Sequence, residues 1–217
     1  MKIHRPQSAS PRRCHRAFTL TELMVCIGII ALLAALITGA IPRIKENAHR
    51  ARCANNIRQQ LIGIRALSTD HNNEYYWPAA TSGDDSAPSY LYPEYVDDLN
   101  VFICPSTHNK IRNRTHPVTG IMPDLLNNAV NAGSYYGHSY EYFGYYTKGR
   151  KSPRHMTALP ETIVLVVDGD DYMENNMPDI SNNHGPDGWN WGYADGHVEW
   201  ITRAETQSHF QRIRFND

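Results

Sequence analysis

Side chains that could bind a metal or transfer protons are concentrated near the C-terminus. They comprise His184, Asp195 and His197, with further carboxylates at Asp168 and Asp187. Two or three such groups converging on one ion would suit a transition metal, whereas carboxylate and carbonyl oxygens would suit Ca²⁺. A metal-dependent enzyme built on the two histidines and Asp195 is therefore one hypothesis for this chain.

The same residues have a structural interpretation, which the sequence favours. Asp195-Gly196 is typical of a two-residue type I′ hairpin turn, in which both central residues need a positive φ. Asp195 would then form the turn, with His184 hydrogen-bonded to it and His197 solvated. No G-x-S-x-G nucleophile motif and no phosphate-binding glycine loop occurs. We therefore predict that the protein is not an enzyme and needs no cofactor, with Ca²⁺ kept as the alternative.

A β-hairpin is the element that would position these groups. The sequence predicts its strands at 190–194 and 197–201. A two-residue turn pairs Trp191 with Trp200 and places both on one apolar face, which would cap the core.

The other end of the chain carries a second candidate site. A basic leader, residues 1–17, runs into an apolar stretch, residues 23–41, with Glu22 at the junction. These 19 apolar residues are close to the roughly 20 that cross a bilayer as a helix. A carboxylate there is costly, which makes Glu22 a functional candidate. The leader has no acid and five cationic residues, which are Lys2, Arg5, Arg12, Arg13 and Arg16. The N-terminus should therefore be cytoplasmic.

Residues 17–22, Ala-Phe-Thr-Leu-Thr-Glu, resemble the prepilin cleavage and methylation motif of type IV pilins and type II secretion pseudopilins. The resemblance implies cleavage between Ala17 and Phe18 by a prepilin peptidase, and methylation of the new amino group. Glu22 becomes the fifth mature residue, for which a neighbouring subunit's ammonium is a fitting partner. Ala17 replaces the family's usual Gly, and Thr21 its Ile or Val. The alternative is a signal anchor that is not processed.

The C-terminal region resembles a second family feature. Asn183-His184, followed by residues 193–198, Tyr-Ala-Asp-Gly-His-Val, is similar to the H-X9-DG domain of pseudopilin-like proteins. Ten residues, rather than nine, separate His184 from Asp195. Residues 53–56 and Cys104-Pro105 are also similar to recurrent features of these proteins. Some secretion pseudopilins bind calcium in a C-terminal loop, which supports the Ca²⁺ alternative at His184, Asp195, Asp187 and Asp168.

Cys53 and Cys104 are the two of the four cysteines that would face the periplasm, since Cys14 lies in the leader and Cys26 in the apolar stretch. The oxidising compartment permits a disulfide between them. Such a bridge would fasten the N-terminal helix to the globular domain. The alternative is a pair of buried free thiols.

Apolar residues recur every three or four positions beyond Ile41, which predicts an amphipathic continuation of the N-terminal helix. We expect one helix from Phe18 to about Thr69, or two helices broken at Pro42. The predicted parts are a leader (1–17), a transmembrane segment (18–41), an amphipathic periplasmic helix (42–70) and a globular α+β domain (71–217). Within that domain, residues 161–168 predict a buried strand, residues 135–146 an aromatic core segment and residues 100–104 a short strand.

Charge excludes nucleic acid as the expected partner. The formal net charge is −1, and removal of the five leader cations leaves −6. Phosphate binding requires a basic face instead.

The predicted fold is α+β, with a long N-terminal helix packed on a small antiparallel sheet with long loops. The predicted function is that of a structural pseudopilin-like subunit, held in the inner membrane by one span, its C-terminal domain periplasmic and its partners other pseudopilin subunits. The alternative is a monomeric anchored module that binds glycan or other cargo through an aromatic-rich surface.

Overall fold

The computed structural model describes residues 18–71, 87–126, 136–143, 146–147, 150–151, 163–169, 183–184, 187–206 and 208–209. Its helices are α1 (Leu20–Thr38), α2 (Ile41–Asp70) and α3 (Ala87–Leu91), with 3-10 helices at Leu99–Phe102 and Pro123–Leu125. Its strands are β1 (Glu141–Tyr142), β2 (Tyr146–Thr147), β3 (Arg150–Lys151), β4 (Val164–Val167), β5 (Gly188–Tyr193) and β6 (Val198–Thr202). The chain divides into two compact units, 1–43 and 44–217.

The N-terminal unit contains α1, an apolar helix of 19 residues with no buried side chain. Among the described helices, α1 alone is long and apolar enough to cross a membrane. Helix α1 ends at Thr38, and α2 begins at Ile41, so the break lies at Gly39-Ala40. The single helix expected from Phe18 to Thr69 is therefore two helices. Pro42 lies in the first turn of α2, where a missing N–H costs no helical hydrogen bond.

The C-terminal unit is built on α2 and a four-stranded antiparallel sheet of order β1-β4-β5-β6. The buried apolar residues of α2 are Cys53, Ile57, Leu61, Ile64 and Leu67. Their spacing of three or four residues is expected of a helix with one core-facing stripe. The predicted α+β fold, with a helix on a small antiparallel sheet, is confirmed.

The sheet is buried on both faces at its centre. Every residue of β4 and β5 is buried. One core cluster joins α2 to Leu165, Val166 and Tyr142, and a second contains Trp189 and Trp191. The buried strand predicted within 161–168 is confirmed as β4.

The hairpin of β5 and β6 is confirmed, but its predicted register is wrong by one residue. Trp191 lies opposite Glu199, and Asn190 lies opposite Trp200. The reason is a three-residue loop: Gly196 N–H donates to the Tyr193 carbonyl, and Gly196 has φ +96°. A turn followed by a left-handed glycine adds a residue to the loop, and a slip of one residue exchanges the faces. Trp191 and Trp200 therefore lie on opposite faces.

Two further segment predictions can be compared with the structure. Residues 99–102 form a 3-10 helix, so the short strand predicted at 100–104 is wrong; the Asp98 side chain caps this turn through the Asn100 N–H. The aromatic core predicted within 135–146 is confirmed at its described buried members, Tyr140, Tyr142 and Phe143.

Gly192 lies where side chains of α2 pack directly against the sheet. A Cβ built there would lie 2.3 Å from Ile57 Cγ2, 3.1 Å from Leu61 Cδ1 and 3.3 Å from the Val166 carbonyl oxygen. The residue is therefore a glycine because the helix side chains occupy the space that a methyl group would need.

We expect Gly192→Ala to lower the free energy of unfolding by about 1–3 kcal/mol, the usual cost of overpacking a core. The full chain in detergent would be unfolded with urea and followed by the fluorescence of the buried Trp189 and Trp191. The matched control is Gly63→Ala on α2. Its Cβ would lie 2.9 Å from Val96 Cγ2, the end of a side chain, and alanine gains up to about 1 kcal/mol in helix propensity. Equal destabilisation by both substitutions would contradict the assigned role of Gly192.

Candidate functional site

Four side chains with metal-ligand atoms meet in the interior of the C-terminal unit. Cys53 comes from α2, Cys104 follows the 3-10 helix at 99–102, Asp168 follows β4, and His184 lies in a turn. Their ligand atoms all lie within 4.8 Å of one another, and all four residues are buried. The fold thus brings together groups that are up to 131 positions apart in the sequence.

His184 is held by carboxylates on both ring nitrogens. Its Nε2 lies 2.7 Å from Asp168 Oδ2, and its Nδ1 lies 2.6 Å from Glu46 Oε1 on α2. Burial lowers the pKa of His184, but hydrogen bonds to Asp168 and Cys53, with the charges of these groups, outweigh burial and raise the pKa to about 10. The ring also makes an edge contact with Trp200, the centroids being 5.6 Å apart.

Asp168 is fully buried and accepts hydrogen bonds from two side-chain amides besides its contact with His184. Asn183 Nδ2 donates to Oδ1, and Asn190 Nδ2 donates to Oδ2 at 3.2 Å. Asn190 Nδ2 also lies 3.3 Å from the Arg50 carbonyl oxygen on α2. Burying a carboxylate without hydrogen-bond partners costs free energy. The fold must therefore place Asn183, Asn190 and His184 within hydrogen-bond distance of Asp168.

The two cysteines are in direct contact as free thiols. Their Sγ atoms lie 2.6 Å apart, and Cys104 Sγ is 3.5 Å from His184 Nε2. Tyr140 Oη donates to Cys53 Sγ at 3.6 Å. Burial, followed by the contact with Cys53 and the charge of Asp168, raises the pKa of Cys104 well above its usual value. The disulfide predicted between Cys53 and Cys104 stays a prediction, for which the structure supplies the proximity.

Two of the predicted metal ligands lie elsewhere. Asp195 is in the hairpin loop, where its Oδ1 accepts from the His197 backbone N–H at 3.0 Å and lies 2.6 Å from His197 Nδ1. Asp187 is exposed and accepts from Arg50 at 2.6 Å. Among the described residues, neither joins His184 in one group of ligand atoms. His184 contacts Asp168 and Glu46, rather than Asp195.

Sequence reasoning treated the cysteines and the His–Asp residues as separate sites and did not include Glu46. The signal that could have united them was chemical, since cysteine, histidine and aspartate side chains all bind zinc. Their irregular spacing gave no indication of proximity, since each belongs to a different element.

Arg50 extends the site to the surface. It donates to Glu46 Oε1 at 3.2 Å as well as to Asp187, and its guanidinium lies 4.2 Å from the centroid of Trp200. A continuous series of charged contacts therefore runs from buried Asp168 through His184, Glu46 and Arg50 to exposed Asp187.

The second candidate site, at the start of α1, is also defined by local hydrogen bonds. Thr19 is the N-cap, and its backbone N–H and Oγ1 donate to Glu22 Oε2 at 2.9 and 2.8 Å. The Glu22 N–H donates to Thr19 Oγ1 at 3.2 Å, which completes a capping box. Phe18 begins the described chain, and Ala17 lies outside the described residues.

Residues 12–38 match the family model of the prokaryotic N-terminal methylation motif. The chain therefore carries the prepilin-type motif that its N-terminal residues resemble. The motif indicates a type IV pilin-like protein that is processed by a prepilin peptidase, and it points to a structural protein without directly excluding an enzymatic activity. The apolar α1, which lies within the matched residues, indicates a membrane anchor. Comparison with curated proteins and with solved structures found no match. The H-X9-DG resemblance lies outside the matched residues and stays a prediction.

We expect Asn190→Ala to lower the free energy of unfolding by about 1–3 kcal/mol, because it leaves a buried carboxylate with one donor fewer. Urea unfolding of the full chain in detergent would measure the change. Asn55→Ala is the control, since Asn55 is an exposed residue of α2 that accepts from Arg58. Its cost should stay within about 0.5 kcal/mol. A neutral Asn190→Ala would show that Asp168 does not depend on this donor.

Proposed function

We propose that this chain is a structural pseudopilin-like subunit that assembles into a periplasmic pseudopilus or a related envelope filament. The observation that carries the proposal is the methylation motif at 12–38, which includes α1, an apolar helix without a single buried residue. An apolar helix of this kind needs lipid or other helices around it, because water would be in contact with all of its side chains.

Assembly follows from the chemistry of the motif. Cleavage after Ala17 would give Phe18 a free amino group, and methylation would leave it cationic. Glu22 would then be the carboxylate that a neighbour's ammonium neutralises within the apolar environment. Both hydrogen bonds from Thr19 end on Oε2, and no described residue bonds to Oε1. One carboxylate oxygen is thus placed to accept a bond from another subunit.

The proposed topology is a single pass through the inner membrane. The cationic leader would remain in the cytoplasm, residues 18–41 would span the bilayer, and residues 42–217 would be periplasmic. The proposed partners are the prepilin peptidase, the membrane and further pseudopilin subunits. Nucleic acid is not among them, because the processed chain would be acidic.

The glycan-binding alternative depends on exposed aromatic faces within 135–146. Among the described aromatics of this segment, Tyr140, Tyr142 and Phe143 are at most 6% exposed. Tyr136 is 41% exposed, and the Arg112 guanidinium lies 3.9 Å from its ring centroid. Most of the described aromatic area therefore stabilises the core, which favours the structural role.

We expect the chain expressed together with a prepilin peptidase to begin at N-methylated Phe18. Intact-mass and N-terminal analysis of the membrane fraction would detect the loss of residues 1–17. Ala17→Gly should be processed at least as fast, because it restores the residue that the motif usually has, whereas Ala17→Val should be processed more slowly. An intact leader in all three chains would contradict the pilin-like route.

We expect Glu22→Gln to abolish most assembly, because a glutamine can still accept the Thr19 hydrogen bonds but cannot neutralise an ammonium. The loss of one partner from a buried ion pair costs about 3–5 kcal/mol, or more than a hundredfold in association. Oxidative cross-linking through Cys26, which is exposed on α1, would report assembly in membranes.

Glu205→Gln is the matched control. Its Oε2 accepts from the Thr202 N–H and Oγ1 at 3.2 and 2.7 Å, the same pair of bonds that Glu22 accepts from Thr19. It should cross-link like the unmodified chain. Normal cross-linking of Glu22→Gln, with its leader removed, would contradict the proposed assembly mechanism. It would not contradict the proposed processing by a prepilin peptidase.

A further inference from the structure

We propose that Cys53, Cys104, His184 and Asp168 bind one Zn²⁺ ion, which fastens α2 to the sheet of the C-terminal unit. The inference goes beyond the proposed function and does not depend on it, because the site lies wholly within residues 44–217 and requires no second subunit. It replaces the metal-ligand set predicted from the sequence, in which Asp187 and Asp195 accompanied His184 and Asp168.

The four groups supply the ligand atoms that zinc prefers. Two sulfurs, an imidazole nitrogen and a carboxylate oxygen make a closed, four-coordinate set, which is typical of structural rather than catalytic zinc. Zinc–ligand bonds of about 2.0–2.3 Å place tetrahedral ligands roughly 3.3–3.8 Å apart. The observed ligand atoms lie within 4.8 Å of one another, so modest side-chain rotations would form the tetrahedron.

Binding conserves protons and charge. Each thiol would release its proton to solvent and coordinate as a thiolate, and His184 would likewise release the proton on Nε2 and coordinate through that nitrogen. The two thiolates and the Asp168 carboxylate would carry three negative charges against the two positive charges of the ion, which leaves one negative charge on the four-ligand site. No oxidant or reductant is needed, since no sulfur changes its oxidation state.

A second layer of contacts orients the ligands, as around many metal sites. Glu46 Oε1 lies 2.6 Å from His184 Nδ1, an arrangement that leaves Nε2 facing Asp168 Oδ2 at 2.7 Å and Cys104 Sγ at 3.5 Å. Asn183 binds the oxygen of Asp168 that would face away from the ion. Tyr140 Oη donates to Cys53 Sγ, and Asn190 donates to Asp168 as well.

The competing state of this cluster is a Cys53–Cys104 disulfide. It would bring the sulfurs from 2.6 Å to about 2.05 Å, whereas zinc would separate them to about 3.8 Å. Zinc is favoured because it alone would use all four groups of the cluster as ligands. In a disulfide the sulfurs would bond to each other, and His184 and Asp168 would remain the 2.7 Å ion pair that they form with each other.

The test uses the full chain without a polyhistidine tag, purified in detergent, with Cys14→Ser and Cys26→Ser so that Cys53 and Cys104 are its only cysteines. We expect one zinc per chain by elemental analysis, and two thiols that react only after chelation and unfolding. Replacement by Co²⁺ should give a thiolate-to-cobalt charge-transfer band and the visible bands of a tetrahedral site.

Glu46→Gln should keep the fold and lower zinc affinity about 10–100-fold in competition with a chelating dye, since the substitution weakens only the orientation of His184. Asp187→Asn is the matched control. This exposed carboxylate is the outer end of the series of charged contacts that contains Glu46, but it binds Arg50 and not His184. Its loss should leave zinc affinity unchanged. A chain two hydrogens lighter, with no zinc and no reactive thiol after unfolding, would be a disulfide and would overturn the proposal. Equal zinc affinity of the Glu46→Gln and unmodified chains would also overturn it.

Discussion

The C-terminal unit depends on the accommodation of one buried carboxylate. Asp168 has no exposed surface, and an unpaired charge at that depth would cost more free energy than a small domain can spare. Its partners come from three places in the chain: Asn183 and His184 from one turn, Asn190 from β5, and α2 through Glu46 on the far side of His184. The requirement for these partners fixes the turn at 183–184 against β4 and against the helix at once.

The same requirement explains why α2 is attached by polar contacts as well as by its apolar stripe. An apolar stripe alone allows a helix to slide or rotate on a sheet, since hydrophobic burial has no directional preference. Gln60 restricts this freedom at mid-helix: Tyr142 Oη donates to its Oε1 at 2.6 Å, and its Nε2 donates to the Val101 carbonyl oxygen at 2.8 Å. Glu46 and Gln60 are 14 positions apart, or about four turns, so the helix is held at two points along its length.

The sequence allowed the elements to be predicted better than their contacts. The run at 161–168 specifies a buried strand because residues 163–167 are all apolar, and the α2 stripe follows from a regular spacing. The hairpin at Asp195-Gly196 was recognisable, but its loop length was not. A left-handed Gly196 and the bond from the His197 N–H to Asp195 add one residue that composition does not reveal. The predicted faces of Trp191 and Trp200 were consequently wrong.

The cluster of Cys53, Cys104, Asp168 and His184 could not be assembled from the sequence, because its members share no element and no spacing. The N-terminal motif was recognisable for the opposite reason. Its chemistry is contained in six consecutive residues, and the structure needs only one helical turn to bring Thr19 to Glu22. That contact joins residues which both follow the proposed cleavage point, so removal of the leader would leave the cap intact. A helix capped in this way can begin at its third mature residue, Leu20, which would keep the new ammonium of Phe18 outside the hydrogen-bonded turn and accessible to a neighbouring carboxylate.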